Sequence, residues 1–150
     1  MRYQGRNLRK GRLSEPGRIY LLTTVTQQRM PLFACWDSAC LVARELHTPQ
    51  DVTDIQTLAW VLMPDHLHWL VQLHTGTLEA HVRRLKSRSA IGVNARTHSS
   101  GRLWQKGFHD HALRREEDVR AVARYVVANP LRAGLVEKLG DYPFWDAIWL

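Results

Sequence analysis

The sequence predicts an α+β protein built on a ferredoxin-like antiparallel sheet, with its segments in the order β-α-β-β-α-β-α. Runs rich in β-branched and aromatic residues alternate along the chain with segments of helical periodicity. Two of the predicted strands are separated only by the turn signal Pro64-Asp65, which predicts a hairpin. The 150 residues suit one domain, and 45% hydrophobic with 23% charged residues is an ordinary globular composition. We expect the helices to pack on one face of the sheet.

The first half of the chain predicts three strands and one helix. The run IYLLTTVT at 19–26 follows the breaker pair Pro16-Gly17 and predicts the first strand. Apolar residues recur at helical spacing within 35–47, which predicts a helix. The runs QTLAWVLM at 56–63 and HLHWLVQL at 66–73 have strand composition, so they predict the two arms of the hairpin.

The third quarter of the chain predicts a crossover helix and a further strand. Residues 77–97 form a basic segment with apolar residues at helical spacing, and Thr77 or Gly76 is the expected N-cap. The run LWQKGFHDHAL at 103–113 predicts a strand that is interrupted at Lys106-Gly107.

The last quarter predicts a second crossover helix and a tail. Residues 116–129 have a strong apolar stripe, and Pro130 is expected to end this helix. Three acids fall in its first turn, where the helix dipole favours negative charge; they are Glu116, Glu117 and Asp118. The aromatic tail, 137–150, is expected to pack back on the core of the single domain.

The chain is basic, with 21 Lys and Arg against 14 Asp and Glu and a net charge of +7. The positive residues concentrate in an N-terminal arm, 1–18, and in the acid-free stretch between Glu79 and Asp110. This pattern favours an anionic partner, either nucleic acid or a membrane surface, although a solvated basic face would look the same. The candidate phosphate-binding residues are Arg6, Arg9, Lys10, Arg12, Arg18, Arg83, Arg84, Lys86, Arg88 and Lys106.

Several classes of protein are excluded. No apolar run reaches the roughly 18–20 residues that span a bilayer, so we expect no membrane segment. The polar start predicts no secretory leader. The two cysteines, Cys35 and Cys40, exclude a disulfide scaffold, and their apolar neighbours favour buried packing over a reactive pair. A reduced cytoplasmic location, associated with the nucleoid, is expected.

The segment His66-Leu67-His68 is a candidate metal site. Residues i and i+2 of a strand point to the same face, so the two imidazoles project together. Paired imidazoles suit a divalent metal when other ligands complete the coordination shell. The alternative is two half-exposed histidines on a sheet, and His109 with His111 repeats the same spacing, so the pattern by itself is weak evidence.

Tyr125 is a candidate nucleophile. It falls at the edge of the apolar stripe of the predicted last helix, and Asn129 lies one turn later on the same side. The two residues can therefore bring a phenol and an amide oxygen to one place. A phenol can attack phosphorus when a metal polarises the phosphate. The alternative is a packed tyrosine with its hydroxyl at the surface.

Four segments of the chain resemble the motifs of the REP-associated tyrosine transposases, a branch of the single-tyrosine HUH transposases. They occur in the same order as the motifs of that family. The segments are SEPGRIY at 14–20, VLMPDHLHWLV at 61–71, WQKGFHDH at 104–111 and YVVANPLRAGLV at 125–136. The resemblance covers nearly the whole chain, and the joint order of the segments makes it specific.

This resemblance implies an HUH nuclease fold and a metal-dependent strand transferase. Tyr125 would form a 5′-phosphotyrosine link with single-stranded DNA, and His66, His68 and Asn129 would hold Mg²⁺ or Mn²⁺. The implied substrate is a REP-type hairpin with a short tetranucleotide beside its foot, and the basic arm and basic helix would hold phosphates. The branch implies a monomer that acts in cis, and a dimer is the alternative.

The chain departs from the family pattern at Asp65, where Asn is common before the first histidine. Asp and Asn both favour turns, but a carboxylate near the metal can alter metal preference. His109 and His111 are not assigned to the active site. Two other functions remain open: a catalytically silent module of the same fold that binds hairpin DNA or RNA, and a basic structural protein.

Overall fold

The computed structural model describes residues 14–47, 54–114 and 118–149, and in these ranges five antiparallel strands form one sheet. The strands of these ranges are β1 (Ile19–Val25), β2 (Ile55–Leu62), β3 (His66–Leu73), β4 (His109–Ala112) and β5 (Trp145–Ala147). The described helices are α1 (Trp36–His47), α2 (Leu78–Thr97), α3 (Val119–Val127) and α4 (Asn129–Arg132), with 3-10 turns at Gln27–Arg29, Leu32–Ala34 and Leu139–Asp141. The strand order is β4-β1-β3-β2-β5. The first four strands therefore have the ferredoxin-like order, and the predicted fold class is confirmed.

Different helices cover the two faces of the sheet. On one face Trp69 of β3 joins a buried cluster that includes Val42 of α1 and Leu85 of α2. On the opposite face Leu70 packs with Ala123 of α3. The expected one-face arrangement is correct for α1 and α2 and wrong for α3. The reason is that α3 has its own apolar stripe to bury, and the first face is already covered.

The strand register places His68 in the middle of a row across the sheet. Thr23 of β1 and Val61 of β2 flank His68, and His109 of β4 lies beyond Thr23 in the same row. His66 lies two residues before His68 and so shares its face. This is the face on which α3 packs.

The fourth strand is shorter than the sequence predicts. Trp104 forms an isolated bridge with Thr26, and regular pairing resumes only at β4. Between them Gly107 has φ +76°, a conformation that favours glycine. Lys86 of α2 donates from Nζ to the carbonyl oxygen of Gln105 at 2.8 Å and to that of Gly107. The predicted interruption is confirmed, and α2 holds the interrupted segment as a loop.

The predicted last helix is divided in two. Asp118 is the N-cap of α3 and accepts a hydrogen bond from the backbone N of Arg120 at 2.9 Å. Pro130 lies in the first turn of α4, where its missing N–H costs no hydrogen bond. The prediction that Pro130 ends the helix is therefore wrong, because α3 has already ended at Val127. The predicted first-turn acids Glu116 and Glu117 lie outside the described residues.

The aromatic tail packs back on the sheet, as predicted. Its strand β5 pairs with the edge of β2, where Trp145 lies opposite Val61. The Tyr142 hydroxyl donates to the carbonyl oxygen of Leu62 at 2.5 Å, and burial raises the pKa of Tyr142 to about 12. The tail thereby extends the sheet beyond the hairpin.

The structure also bears on the predictions about the two cysteines and about membrane segments. Cys35 is exposed and Cys40 is half-buried, so the expected buried packing is wrong for Cys35, which precedes the first turn of α1. Among the helices in the described part of the chain, none is both long enough and apolar enough to cross a membrane.

Candidate functional site

His66 and His68 project together from β3. Their ring centroids are 4.8 Å apart, and the ring planes are nearly perpendicular at 79°. Both side chains are half-buried, so each remains partly accessible. The predicted pairing of the two imidazoles on one face is confirmed.

Asp65 anchors His66. The Asp65 Oδ1 lies 2.7 Å from the His66 Nδ1, and the Arg29 Nε donates to Asp65 Oδ2 at 3.3 Å. Burial by itself would raise the pKa of Asp65, but the interaction with His66, together with that with Arg29, lowers it. An ionised carboxylate can only accept, so His66 donates from Nδ1, and in the neutral form of the ring the lone pair is then on Nε2.

Thr23 anchors His68 from the neighbouring strand. The Thr23 Oγ1 lies 2.8 Å from the His68 Nδ1. Burial lowers the pKa of His68 to about 4, and the positive charges of His66 and Arg132 act in the same direction. His68 is therefore neutral at pH 7. When its Nδ1 donates to Thr23, its Nε2 also presents a lone pair.

Tyr125 lies on the outer side of α3, with 65% of its surface exposed. The guanidinium carbon of Arg132 lies 3.8 Å from the centre of the Tyr125 ring, which is a cation–π contact. The charge of Arg132 also contributes to the low pKa of His68. Arg132 therefore interacts with the Tyr125 ring by contact and with His68 through its charge.

Packing also brings the Tyr125 turn toward the histidines. Val126, the next residue, packs with Val61 and Met63. Val61 is the strand partner of His68, and the Met63 backbone N donates to the carbonyl oxygen of His66 at 2.8 Å. The tyrosine turn and the histidine strand therefore meet within one chain.

Asn129 belongs to a different helix from the one predicted. It begins α4 instead of continuing α3, since the chain breaks from α3 at Ala128. Ala128 keeps a helical conformation, with φ −78° and ψ 0°, so Asn129 still follows Tyr125 by about one turn. Its side chain is half-buried, and its role as a metal ligand remains a prediction.

The donor chemistry at this site fits a divalent cation. The described residues contain no cluster of three or more His, Cys, Asp or Glu placed to hold a metal ion. A metal would therefore need oxygen donors beyond His66 and His68, such as the Asn129 amide, a phosphate or water. Two imidazoles suit Mn²⁺ better than Mg²⁺, because Mg²⁺ prefers oxygen ligands.

The basic candidates divide into four groups. Arg88 forms an ion pair with Glu45 at 2.7 Å, and Arg18 forms one with Glu15 at 2.9 Å. Lys86 is engaged with the loop carbonyls described above. Arg83, Arg84 and Lys106 are exposed. Arg6, Arg9, Lys10 and Arg12 lie outside the described residues.

Sequence reasoning missed Thr23 and Arg132. The spacing of two histidines carries no information about which residue lies opposite them, and Thr23 is 45 residues away from His68. Arg132 follows Tyr125 by seven positions, which is two helical turns, so a spacing signal for it did exist. The sequence did single out Asp65, although not its pairing with Arg29.

Residues 18–129 of the chain match the sequence family of the IS200-like transposases. The REP-associated tyrosine transposase of Escherichia coli (strain K12) is 32% identical over 88 residues, which are 57% of this chain and 50% of that protein. A Haemophilus influenzae protein provisionally assigned to the same group is 26% identical over 100 residues, 59% of this chain and 57% of that protein. The chain spans about half the length of these curated relatives. The resemblance inferred from the motifs is confirmed.

Solved structures share the fold. A REP-associated tyrosine transposase bound to a REP hairpin superposes with a TM-score of 0.68 at 22% identity, covering 89% of this chain and 79% of that one. A protein of Deinococcus radiodurans R1, provisionally assigned as a transposase, superposes with a TM-score of 0.51 at 21% identity, covering 79% and 95%. At these identities the likeness supports the fold.

Proposed function

The chain belongs to the family of IS200-like transposases, and from that premise we propose that it cleaves and rejoins single-stranded DNA at REP-type hairpins. Tyr125 is the proposed nucleophile, and His66 and His68 are the proposed metal ligands, with Asn129 as a third. One observation carries the proposal. The helical turn that holds the exposed Tyr125 packs next to the strand of two histidines whose Nδ1 atoms already have hydrogen-bond partners. The substrate is proposed from the related structure that holds a REP hairpin.

The proposed reaction is a transesterification at phosphorus. The Tyr125 oxygen forms a bond to the phosphorus of the DNA backbone, and the bond from phosphorus to the 3′ oxygen breaks. The phenol proton is released, and the departing 3′ oxygen takes up a proton to become a hydroxyl. The product is a 5′-phosphotyrosine, which the 3′-hydroxyl of another strand can attack to restore a phosphodiester.

The chain's own residues position the reacting groups. Asp65 and Thr23 hold the two imidazoles through their Nδ1 atoms, which leaves the two Nε2 atoms as the proposed metal-binding nitrogens. Arg132 stacks on the Tyr125 ring, so its positive charge lies close to the proposed nucleophile and would favour an incoming phosphate. A bound Mg²⁺ or Mn²⁺ would polarise the phosphate and neutralise its developing charge.

Cleavage of labelled hairpin oligonucleotides, taken from repeats that flank the gene, tests the proposal. Wild type should cleave with Mn²⁺ and form a covalent protein–DNA adduct, whereas Tyr125→Phe and His66→Ala should do neither. Tyr20→Phe is the matched control, because the Tyr20 hydroxyl accepts from the backbone N of Glu15, near the far end of β1 from the histidine site. Hairpin binding without cleavage in wild type would favour the silent binding module instead.

A mixing experiment tests whether the chain acts in cis. Tyr125→Phe lacks the nucleophile and keeps the histidines, whereas His66→Ala keeps the nucleophile. If each chain uses its own tyrosine, an equimolar mixture stays inactive. Recovery of about a quarter or more of wild-type activity would indicate a dimer that shares tyrosines, and would contradict the monomeric arrangement.

A further inference from the structure

The turn at 26–30, directly after β1, adjoins the histidine site. It follows Val25, which is the strand partner of His66. Gln28 has φ +56° and Arg29 has φ +51°, so two consecutive non-glycine residues adopt the left-handed conformation. Each such residue costs stability, and the strain persists only where the surrounding structure enforces it. Strain of this kind next to a proposed active site points to a function for the residues that it positions.

The buried residue Thr26 enforces the strained turn. Its Oγ1 lies 2.8 Å from the carbonyl oxygen of Met30 and 3.1 Å from that of Asp65, and its hydroxyl proton is shared between them. The backbone N of Thr26 donates to the same Asp65 oxygen at 2.9 Å. The backbone N of Arg29 donates to the carbonyl oxygen of Thr26 at 3.0 Å. The turn is thereby fixed to the backbone of the residue that precedes His66.

The turn places Arg29 on the Asp65 carboxylate, which is then engaged at both oxygens. The Arg29 Nε and Nη2 each lie 3.3 Å from Asp65 Oδ2, and Asp65 Oδ1 lies 2.7 Å from the His66 Nδ1. The Arg29 side chain is 61% exposed, and an ion pair so exposed contributes little to stability. The pair by itself therefore does not offset the strain of the turn. What the turn provides is a fixed position for Arg29 at the second oxygen of Asp65.

We propose that Arg29 is a positioning residue for the metal site, which acts through Asp65 to hold the ring of His66. While Arg29 holds Oδ2, the carboxylate stays directed at the His66 Nδ1. Without that contact Asp65 is free to rotate about its side-chain bonds, and its hydrogen bond to His66 forms for only part of the time. The inference rests on the proposed function for the role of His66 as a metal ligand. It assigns a role to a cation that the proposed reaction does not use directly.

Arg29→Gln separates positioning from simple electrostatics, because the two predict opposite changes in Mn²⁺ affinity. Removal of a positive charge beside a cation site should by itself tighten binding, since like charges repel. Loss of the contact with Asp65 should weaken binding by about fivefold, less than the roughly 10–100-fold typical when a direct partner of a ligating histidine is lost. Isothermal titration measures the difference. The matched control Arg96→Gln breaks another surface ion pair, with Asp37, and should leave the affinity unchanged.

Nitrogen NMR of the metal-free protein gives a second readout. In wild type and in Arg96→Gln, Asp65 should hold the proton on the His66 Nδ1, so that this proton exchanges slowly with water. In Arg29→Gln the proton should exchange faster and its signal should be lost by broadening. This measurement reports on the position of Asp65 and does not depend on metal binding or on activity.

Glycine variants test whether the strain serves the site. Gln28→Gly relieves one left-handed position and keeps Arg29, so it should raise the urea midpoint and leave Mn²⁺ affinity unchanged. Arg29→Gly relieves the other position and removes the guanidinium, so it should raise the urea midpoint and still weaken Mn²⁺ binding as Arg29→Gln does. A fall of stability and metal affinity together in Arg29→Gly would mean that Arg29 is merely structural, and would overturn the inference.

The remaining outcomes separate this inference from the proposed function. If His66→Ala weakens Mn²⁺ binding but Arg29→Gln leaves it unchanged or tightens it, the metal site stands and the positioning role is overturned. If Arg29→Gln alters only the salt dependence of DNA binding, Arg29 is a phosphate contact and the role is likewise overturned. If wild type binds no Mn²⁺, the proposed metal site fails, and exchange of the His66 proton alone decides whether Arg29 positions the ring.

Discussion

Replacing Asp65 by asparagine or alanine tests whether this carboxylate prepares His66 to bind a metal. The His66 Nδ1 lies 2.7 Å from the Asp65 Oδ1, a distance typical of a charge-assisted hydrogen bond. Such a bond contributes about 1.5–3 kcal/mol, and a neutral one about 1 kcal/mol. Asparagine keeps an acceptor and loses the charge, so Asp65→Asn should weaken Mn²⁺ binding by about fivefold. Asp65→Ala removes the acceptor and should weaken it by about 10–100-fold.

Isothermal titration of each variant with Mn²⁺ measures these differences. Long-range nitrogen NMR of His66 in the metal-free protein adds a second readout, because the proton should reside on Nδ1 in wild type and redistribute in Asp65→Ala. Asp37→Asn is the matched control, since Asp37 pairs with Arg96 at the start of α1. Equal Mn²⁺ affinity in wild type and Asp65→Ala would refute the reasoning.

Three further predictions follow from the same contacts. Arg132→Gln should slow hairpin cleavage about threefold to tenfold through the lost contact with Tyr125, measured as single-turnover rates, with an unchanged rate as the contrary result. The pKa of His68 is about 4 in the folded chain and ordinarily 6.5, so the unfolded chain binds more protons between these values. The free energy of unfolding should therefore fall by up to about 3 kcal/mol as the pH drops from 6.5 to 4, and urea titrations of His68→Gln should show a flatter profile. Tyr142→Phe should lower the free energy of unfolding by about 1 kcal/mol through the lost bond to Leu62, and an unchanged urea midpoint would count against that bond.

Elements with a strong local signal were predicted well. The strand at 66–73 matches β3 because polar and apolar residues alternate there with period two at every position except Leu70. Thr77 was an expected N-cap, and its side chain accepts a hydrogen bond from the backbone N of Ala80 at 3.2 Å. Local patterns contain the information for such elements, and tertiary contacts do not override it.

Features decided by distant contacts were predicted less well. The face on which α3 packs depends on which face α1 and α2 have already covered, and no local pattern encodes that choice. The strand expected at 103–113 is shortened because Lys86, on another element, holds the interrupted loop by its carbonyl oxygens. Likewise, the pairing of Thr23 with His68 is a property of the β1–β3 register, which the sequence of β3 does not specify.

The position of α3 bears on how the proposed chemistry is organised. Val126 is buried against Val61 and Met63. The helical turn that carries Tyr125 therefore cannot move away from the sheet without exposing apolar surface. Tyr125 itself is exposed and is held by Arg132, a contact at the surface that costs little to break. The helix is therefore fixed while the tyrosine side chain stays exposed, and the proposed reaction in cis requires only that the phenol reach a phosphate at the histidines by rotation of its side chain. This division between a buried helix and an adjustable nucleophile is the physical basis for expecting a reaction in cis.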